Sequence, residues 1–286
     1  MAQDWADNIT QKLLSKSIIQ KGICLFLGAS DTGKTTLAAA LVKRLASEQP
    51  VGIVDADIGQ SHIGPPATVG WAVADNRQSD LSQLLAAGIS FVGDVTPVGH
   101  LLQLTVAIIR CVQQASKVAE LIILDTPGFI RGPAASALWW TVQRVLNPKL
   151  IVAVQRESEL SDILAGLRRF DSQIELVKCP SQIRTKSPED RRTYRQDQFD
   201  KYFRDSCLYN INLSDIAVQT TQNLSRNSPV SRLVGLRNRQ GTDAAIGIIK
   251  DWQSEKNIAV IKAPQLDIQQ VCCLVIGDVT IEITDS

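Results

Sequence analysis

The 286-residue sequence is poor in metal-binding side chains. It has two histidines, His62 and His100, and six cysteines (Cys24, Cys111, Cys179, Cys207, Cys272 and Cys273) without a single Cys-x-x-Cys spacing. A histidine-rich metal centre, a cysteine zinc site and a disulfide framework are thereby excluded. Several of the cysteines fall in apolar runs, as small buried hydrophobes do in a reducing compartment. The formal net charge is only +1, so the chain lacks a global basic field, and any polynucleotide contact must come from a local patch. No apolar stretch approaches the roughly 20 residues of a membrane-spanning helix. Asp4 and Asp7 stand where the basic start of an export signal would lie, so no membrane and a cytoplasmic location are expected. Hydrophobic residues at 44% and charged residues at 21% are ordinary for a globular protein with one large domain, alone or with a smaller one.

Against these absences stands one strong presence. Residues Gly28-Ala29-Ser30-Asp31-Thr32-Gly33-Lys34-Thr35 satisfy the eight-position phosphate-loop pattern, and Thr36 continues it. An apolar run, Ile23 to Leu27, precedes it as a strand, and Thr36 to Leu45 reads as a helix. Glycines let backbone N–H groups fold around a phosphate, and the helix N-terminus adds partial positive charge. The Lys34 ammonium neutralises β/γ oxygens, and the Thr35 hydroxyl is placed for magnesium. The chain is therefore expected to bind ATP with Mg2+.

Periodicity organises the rest. Trp5, Ile9 and Leu13 mark a short amphipathic helix, and Val51 to Val54 a buried strand ending in Asp55-Ala-Asp57-Ile-Gly-Gln60. After the Gly64-Pro65-Pro66 segment come a strand at 69–73, a helix at 81–87 and a strand at 89–92. A long helix runs from Leu101 to Val112, and a strand at 121–124 leads into Asp125-Thr-Pro-Gly128. Helices at 134–146 and 160–170 alternate with strands at 150–154 and 174–177. Most of these strands are continuous apolar runs, which predicts an α/β fold with a mostly parallel sheet covered by helices on both faces. Its ligand would sit beyond the strands' carboxyl ends, where the phosphate loop, Asp57 and Asp125 emerge. Beyond Cys207 the pattern changes to short bursts at 233–236, 245–249, 258–261, 272–276 and 279–283, as in a small β-rich domain, with a short helix in the 240s as the alternative.

Asp57, one loop from the phosphates, suits a magnesium ligand or the acceptor of a hydroxyl proton, with Asp55 in support; the alternative is a pair of turn formers. Asp125 closes the next strand as a magnesium-linked acid would. No Asn-Lys-x-Asp follows a later strand, where Gln155-Arg156-Glu157-Ser158 stands instead, so guanine recognition is not expected. The run Arg184 to Arg204 carries seven cations, with Arg191 and Arg195 on one helical face. It reads as an arginine lid over a triphosphate, or as a solvated charged helix.

Five segments together resemble the polynucleotide 5′-hydroxyl kinases, a family that includes the RNA kinase subunit of the eukaryotic mRNA 3′-cleavage factor and the pre-ribosomal RNA processing kinases. They are Gly28 to Thr36, Asp55-Ala-Asp57-Ile-Gly-Gln60-Ser, Phe91-Val-Gly93-Asp-Val-Thr96-Pro-Val-Gly-His100, Asp125-Thr-Pro-Gly128-Phe129, and Arg191-Arg192-Thr-Tyr-Arg195 running to Lys201-Tyr-Phe203. The resemblance covers roughly residues 20 to 205 and implies a role for each. Asp57 would activate the 5′-hydroxyl and help hold magnesium, together with Thr35 and Asp125. Lys34 would bind phosphate. Arg191, Arg192 and Arg195 would be the lid arginines. Gln60, Thr96 and His100 would meet the nucleic acid, with Phe129 stacking on a base where relatives usually have Trp, or else serving the core. The implied substrate is a 5′-hydroxyl polynucleotide, RNA and/or DNA; protein partners are unknown. A non-catalytic ATP-bound assembly protein and a small-molecule hydroxyl kinase are the competing readings. The expected organisation is an N-terminal segment (1–20), a kinase domain (21–206) with its lid at about 184–204, and a β-rich C-terminal domain (207–286).

Overall fold

The apolar runs do assemble into a central sheet. The computed structural model describes residues 2–15, 19–75, 81–220 and 228–281. The first part of the chain runs α1 (Ala2–Leu14), β1 (Gly22–Gly28), α2 (Lys34–Leu45), β2 (Val51–Asp55), β3 (Thr68–Ala74) and β4 (Gly88–Phe91). It continues through α3 (Leu101–Ala115), β5 (Leu121–Asp125), α4 (Pro133–Leu146), β6 (Leu150–Gln155), α5 (Ser161–Leu167), β7 (Gln173–Lys178) and α6 (Pro188–Phe203). Strands β7, β6, β1, β5 and β2 are neighbours in that order and all parallel. Side chains alternate across β1: Leu25 and Leu27 join the core under α3, α4 and α5, while Cys24 and Phe26 join the core under α1 and α2. Each fully buried side chain of this size contributes roughly 1.5–3 kcal/mol. In α1, Leu13 is buried and Trp5 and Ile9 pack against the second core beside α2, as their spacing predicts.

The sheet changes direction on this side, and one expected helix is lost. Strand β3 runs antiparallel to β2, and β4 antiparallel to β3. The Gly64-Pro65-Pro66 connection forms no crossover helix, and without one a parallel neighbour is out of reach. The helix expected at 81–87 shrinks to a single 3-10 turn, Leu81–Gln83, because the following backbone turns back to the sheet and the Ala87 N–H donates to Trp71 O at 2.8 Å. The helix expected at 160–170 ends at Leu167.

The remaining strands are β8 (Ser206–Asn212), β9 (Ala217–Thr220), β10 (Arg232–Asn238), β11 (Asp243–Gln253), β12 (Ile258–Pro264) and β13 (Val271–Thr280). The 240s are strand, not helix. The burst at 279–283 forms no separate element: its first residues complete β13, and residues 282 and 283 lie outside the described residues. Strands β8 and β9 went unpredicted because they are largely solvent-facing, with Leu208 at 65% exposure. All of these continue the same sheet, in the order β4-β11-β10-β13-β9, with β12 pairing β11 and β8. The join is narrow: β4 meets β11 through one residue pair, Ile89 with Asp243. The Asp243 carboxylate staples it, accepting from the Phe91 N–H at 2.8 Å and from Arg237 Nε at 2.9 Å. Among the described residues no helix is long and apolar enough to cross a membrane.

Candidate active site

The phosphate loop leaves β1 and enters α2 through Gly33, whose φ of 89° a side chain would strain. A Cβ there would also collide with Ile183 Cδ1 at 2.7 Å. The loop is braced from within: Thr32 Oγ1 and Lys34 Nζ both donate to Ala29 O, at 2.9 and 2.8 Å. Lys34 is only 5% exposed. Burial pulls its pKa down, and the charges of Asp125, Asp57 and Asp31 push it back up. Ser30, Thr35, Thr36, Asp57 and Gln60 line the same cleft of about 1260 Å³ as Lys34.

Asp57 stands on a loop organised by Asp55. The buried Asp55 carboxylate accepts from the Asp57 N–H (3.0 Å), the His62 N–H (2.6 Å), the Ile63 N–H (3.1 Å) and Ser61 Oγ (3.4 Å). Burial raises its pKa to about 6 against the pull of His62. Asp57 Oδ1 accepts from the N–H groups of Gly59 and Gln60, at 3.1 and 3.0 Å. Asp55 thus shapes the loop that presents Asp57, the supporting part expected of it.

Asp125 reaches the site from β5. Its Oδ2 accepts from Thr35 Oγ1 at 2.5 Å, while its Oδ1 is buried without a hydrogen-bond partner. Burial raises its pKa, opposed by the Lys34 charge and the Thr35 hydrogen bond. A buried carboxylate oxygen left over beside a hydroxyl and a second carboxylate is an oxygen donor set that suits a hard divalent cation. The following turn lies against the phosphate loop: a Cβ on Gly128 would fall 2.1 Å from Ser30 Oγ and 2.3 Å from Ser30 N.

Helix α6 begins where Ser187 and Asp190 form a reciprocal capping box and Pro188 fixes the first turn. Arg191 Nη2 pairs with Asp31 Oδ2 at 2.5 Å, and the Lys186 N–H donates to the same oxygen at 3.1 Å. Lys186 Nζ donates to Gln60 Oε1 at 2.8 Å, and Tyr194 Oη to Ser61 O at 2.9 Å. Burial and, after it, the charges of Arg191 and Arg192 lower the pKa of Arg195. Arg184 and Lys186 line the cleft, whereas Arg191, Arg192 and Arg195 are not among its described walls. Sequence reasoning missed the pairing of Asp31 with α6 and missed Arg156, which donates to Asp31 O at 2.7 Å. An acid inside a loop built for anions was the available signal for Asp31; nothing local marked Arg156.

The other expected substrate contacts sit on segments packed against the site's loops: Val95 O lies 2.9 Å from where a Gly59 Cβ would stand, and Phe129 follows Gly128. Thr96 is exposed, but His100 is 1% exposed and its Nε2 pairs with Asp278 Oδ2 at 2.8 Å, tying the 93–100 loop to β13. Phe129 is half-buried against the core, and its carbonyl accepts from Trp139 Nε1 at 2.7 Å.

With this geometry in view, residues 28–205 match the family described as mRNA cleavage and polyadenylation factor CLP1 P-loop. The chain belongs to this family. It is 34% identical over 213 residues to the polyribonucleotide 5′-hydroxyl-kinase of Pyrococcus furiosus, covering 74% of this chain and 58% of that protein. It is 33% identical over 198 residues to the Pyrococcus abyssi protein of the same description, covering 69% and 55%. The chain thus matches somewhat over half the length of these relatives. A solved Clp1p–Pcf11p complex superposes with a TM-score of 0.75 over 97% of this chain and 79% of that one, at 11% identity, which establishes the shared fold.

Proposed function

We propose that this protein is an ATP-dependent polynucleotide 5′-hydroxyl kinase, moving the γ-phosphoryl of ATP to the 5′-OH end of RNA and/or DNA. Residues 21–206 form its kinase domain and 207–286 a C-terminal β-rich domain, and six free cysteines suit work in the cytoplasm. One observation carries the reading: Lys34, Thr35 and Asp57 meet in a single cleft beyond the strand ends, with the Lys34 charge coupled to Asp57 and Asp125. The archaeal relatives described as polyribonucleotide 5′-hydroxyl-kinases support it.

In this mechanism the N–H groups of residues 28–36 and the Lys34 ammonium hold the β- and γ-phosphates. Asp57 accepts the proton of the 5′-hydroxyl as the new O–P bond forms and the bond to the departing ADP breaks. Arg191, Arg192 and Arg195 swing toward the charge spread over the transferring phosphoryl. Thr35, Asp57 and Asp125 would hold magnesium, which when bound neutralises the β and γ oxygens. Gln60, Thr96, His100 and Phe129 belong to the acceptor side in this reading. His100 acts there by positioning its loop.

Incubation with γ-labelled ATP, magnesium and 5′-hydroxyl oligonucleotides tests the proposal. Label on RNA or DNA supports it. Label on nucleosides alone indicates a small-molecule kinase, and ATP binding without transfer indicates an assembly protein; either result overturns it.

A further inference from the structure

A second cavity of about 850 Å³ opens beside the first. The two share His62, which lines both. The second cavity lies at the narrow join of the sheet, lined by Gly88, Ile89 and Ser90 of β4 and by Asp243 and Ala244 of β11. Trp71 on β3 forms part of its wall, one residue beyond Gly70, the register partner of Asp55. The cavity therefore begins next to the strand that delivers Asp57. Gly88 lies against the indole, where a Cβ would stand 2.5 Å from Trp71 Nε1.

The walls have a consistent chemistry. Arg110 and Gln114 come from α3, Lys201 and Tyr202 from α6, and His62 from the Asp57 loop. Asp243 is the only carboxylate among the described lining residues, and its pairing with Arg237 neutralises it. Arg110 is held in place by donating to the carbonyls of Gly241 and Gln240. Tyr202 is fixed too, its hydroxyl accepting from the Ile246 N–H at 3.1 Å. Cationic groups, amides and two aromatic rings, with no free negative charge, are what a short stretch of single-stranded nucleic acid requires.

We propose that this cavity is a downstream subsite that takes the nucleotides following the 5′ end, which enter past His62 while the terminal hydroxyl stays at Asp57. This inference rests on the kinase reading and adds a path for the polymer. Lys201 meets a backbone phosphate, and Gln114 of α3 contacts the same strand. A mononucleotide acceptor reaches Asp57 without entering the cavity.

The test compares a ten-nucleotide 5′-hydroxyl oligonucleotide with a nucleoside 3′-monophosphate as acceptors for wild type, Lys201→Glu and Gln114→Glu. Binding of a fluorescent oligonucleotide is followed by anisotropy in parallel. We expect kcat/KM on the oligonucleotide to fall about tenfold more than on the mononucleotide in both variants. The salt slope of oligonucleotide binding should lose about 0.7 in Lys201→Glu, one phosphate's share for a single strand. Equal losses on the two acceptors, or unchanged oligonucleotide binding in both variants, would sink the subsite while the kinase reading stood. If wild type phosphorylates neither acceptor, the kinase reading fails and anisotropy alone judges the cavity: weaker binding in both variants supports it, and unchanged binding overturns it.

Discussion

Arg191 in the lid and Asp31 in the phosphate loop form an ion pair at 2.5 Å, with Asp31 only 7% exposed. The same carboxylate oxygen also receives the Lys186 N–H. Helix α6 is thus latched to the phosphate loop, and in the proposed kinase Asp31 would compete with phosphate for Arg191. Asp31→Asn should tighten ATP binding roughly two- to fivefold, because a repelling charge and a competing partner are both removed. In the nucleotide-free protein it should also raise hydrogen exchange in the first turn of α6. Calorimetric titration with ATP and exchange mass spectrometry measure both; weaker ATP binding would show that Asp31 supports the loop instead of restraining the lid.

Asp57 and Lys34 should separate chemistry from binding. Asp57→Asn keeps an oxygen for the Gly59 and Gln60 N–H groups. It should lower phosphoryl transfer at least 100-fold, as loss of a general base does, with ATP affinity within about threefold of wild type. Lys34→Ala should lose ATP binding itself. Comparing kcat with the dissociation constant of a fluorescent ATP analogue separates the two.

The contact of Gly128 with Ser30 predicts a steric lesion. In Gly128→Ala the new methyl meets both Ser30 Oγ and Ser30 N, so the phosphate loop must move. We expect a loss of about 1–3 kcal/mol in stability and at least a tenfold weaker affinity for ATP. Adding Ser30→Ala should not restore either, because the backbone nitrogen remains in the way. Recovery in the double variant would place the conflict at the hydroxyl.

Asp55 links stability to pH. Its pKa rises from 3.8 unfolded to about 6 folded. Below about pH 4 both states carry the proton and the group contributes nothing; between about 4 and 6 the unfolded chain ionises first, so stability falls as pH rises. Above about 6 the penalty is constant, on the order of 3 kcal/mol. Asp125, also raised, adds the same sign. Denaturant titrations between pH 4 and 7 should show a shallower decline in Asp55→Asn than in wild type; parallel curves would contradict the assignment.

Where burial and chemistry coincide, the sequence was readable. Ile23 to Leu27, Leu121 to Leu124 and Leu150 to Val154 are strands because both their faces are covered, which only apolar runs survive. Gly33-Lys34-Thr35 announced itself because positive φ, a phosphate-sized curve and a cation leave few alternatives. Polar strands such as β8 and β9 were invisible, since partners elsewhere in the chain hold them in place. The antiparallel turn at β3 was equally hidden: an apolar strand reads the same in either direction. The join of β4 to β11 and the Asp31 latch depend on contacts across 152 and 160 residues of chain, beyond the reach of any local pattern.

Helix α6 is fastened through Arg191 to Asp31 of the phosphate loop and through Tyr194 to Ser61, while Lys186, just before the helix, donates to Gln60. In the proposed kinase the same helix would touch the loops of both substrates, and any shift of it on binding one would couple that one to the other. Whatever factor the nucleoside triphosphate imposes on affinity for the strand end, the strand end must return to the triphosphate, because the closed cycle of binding steps sums to zero.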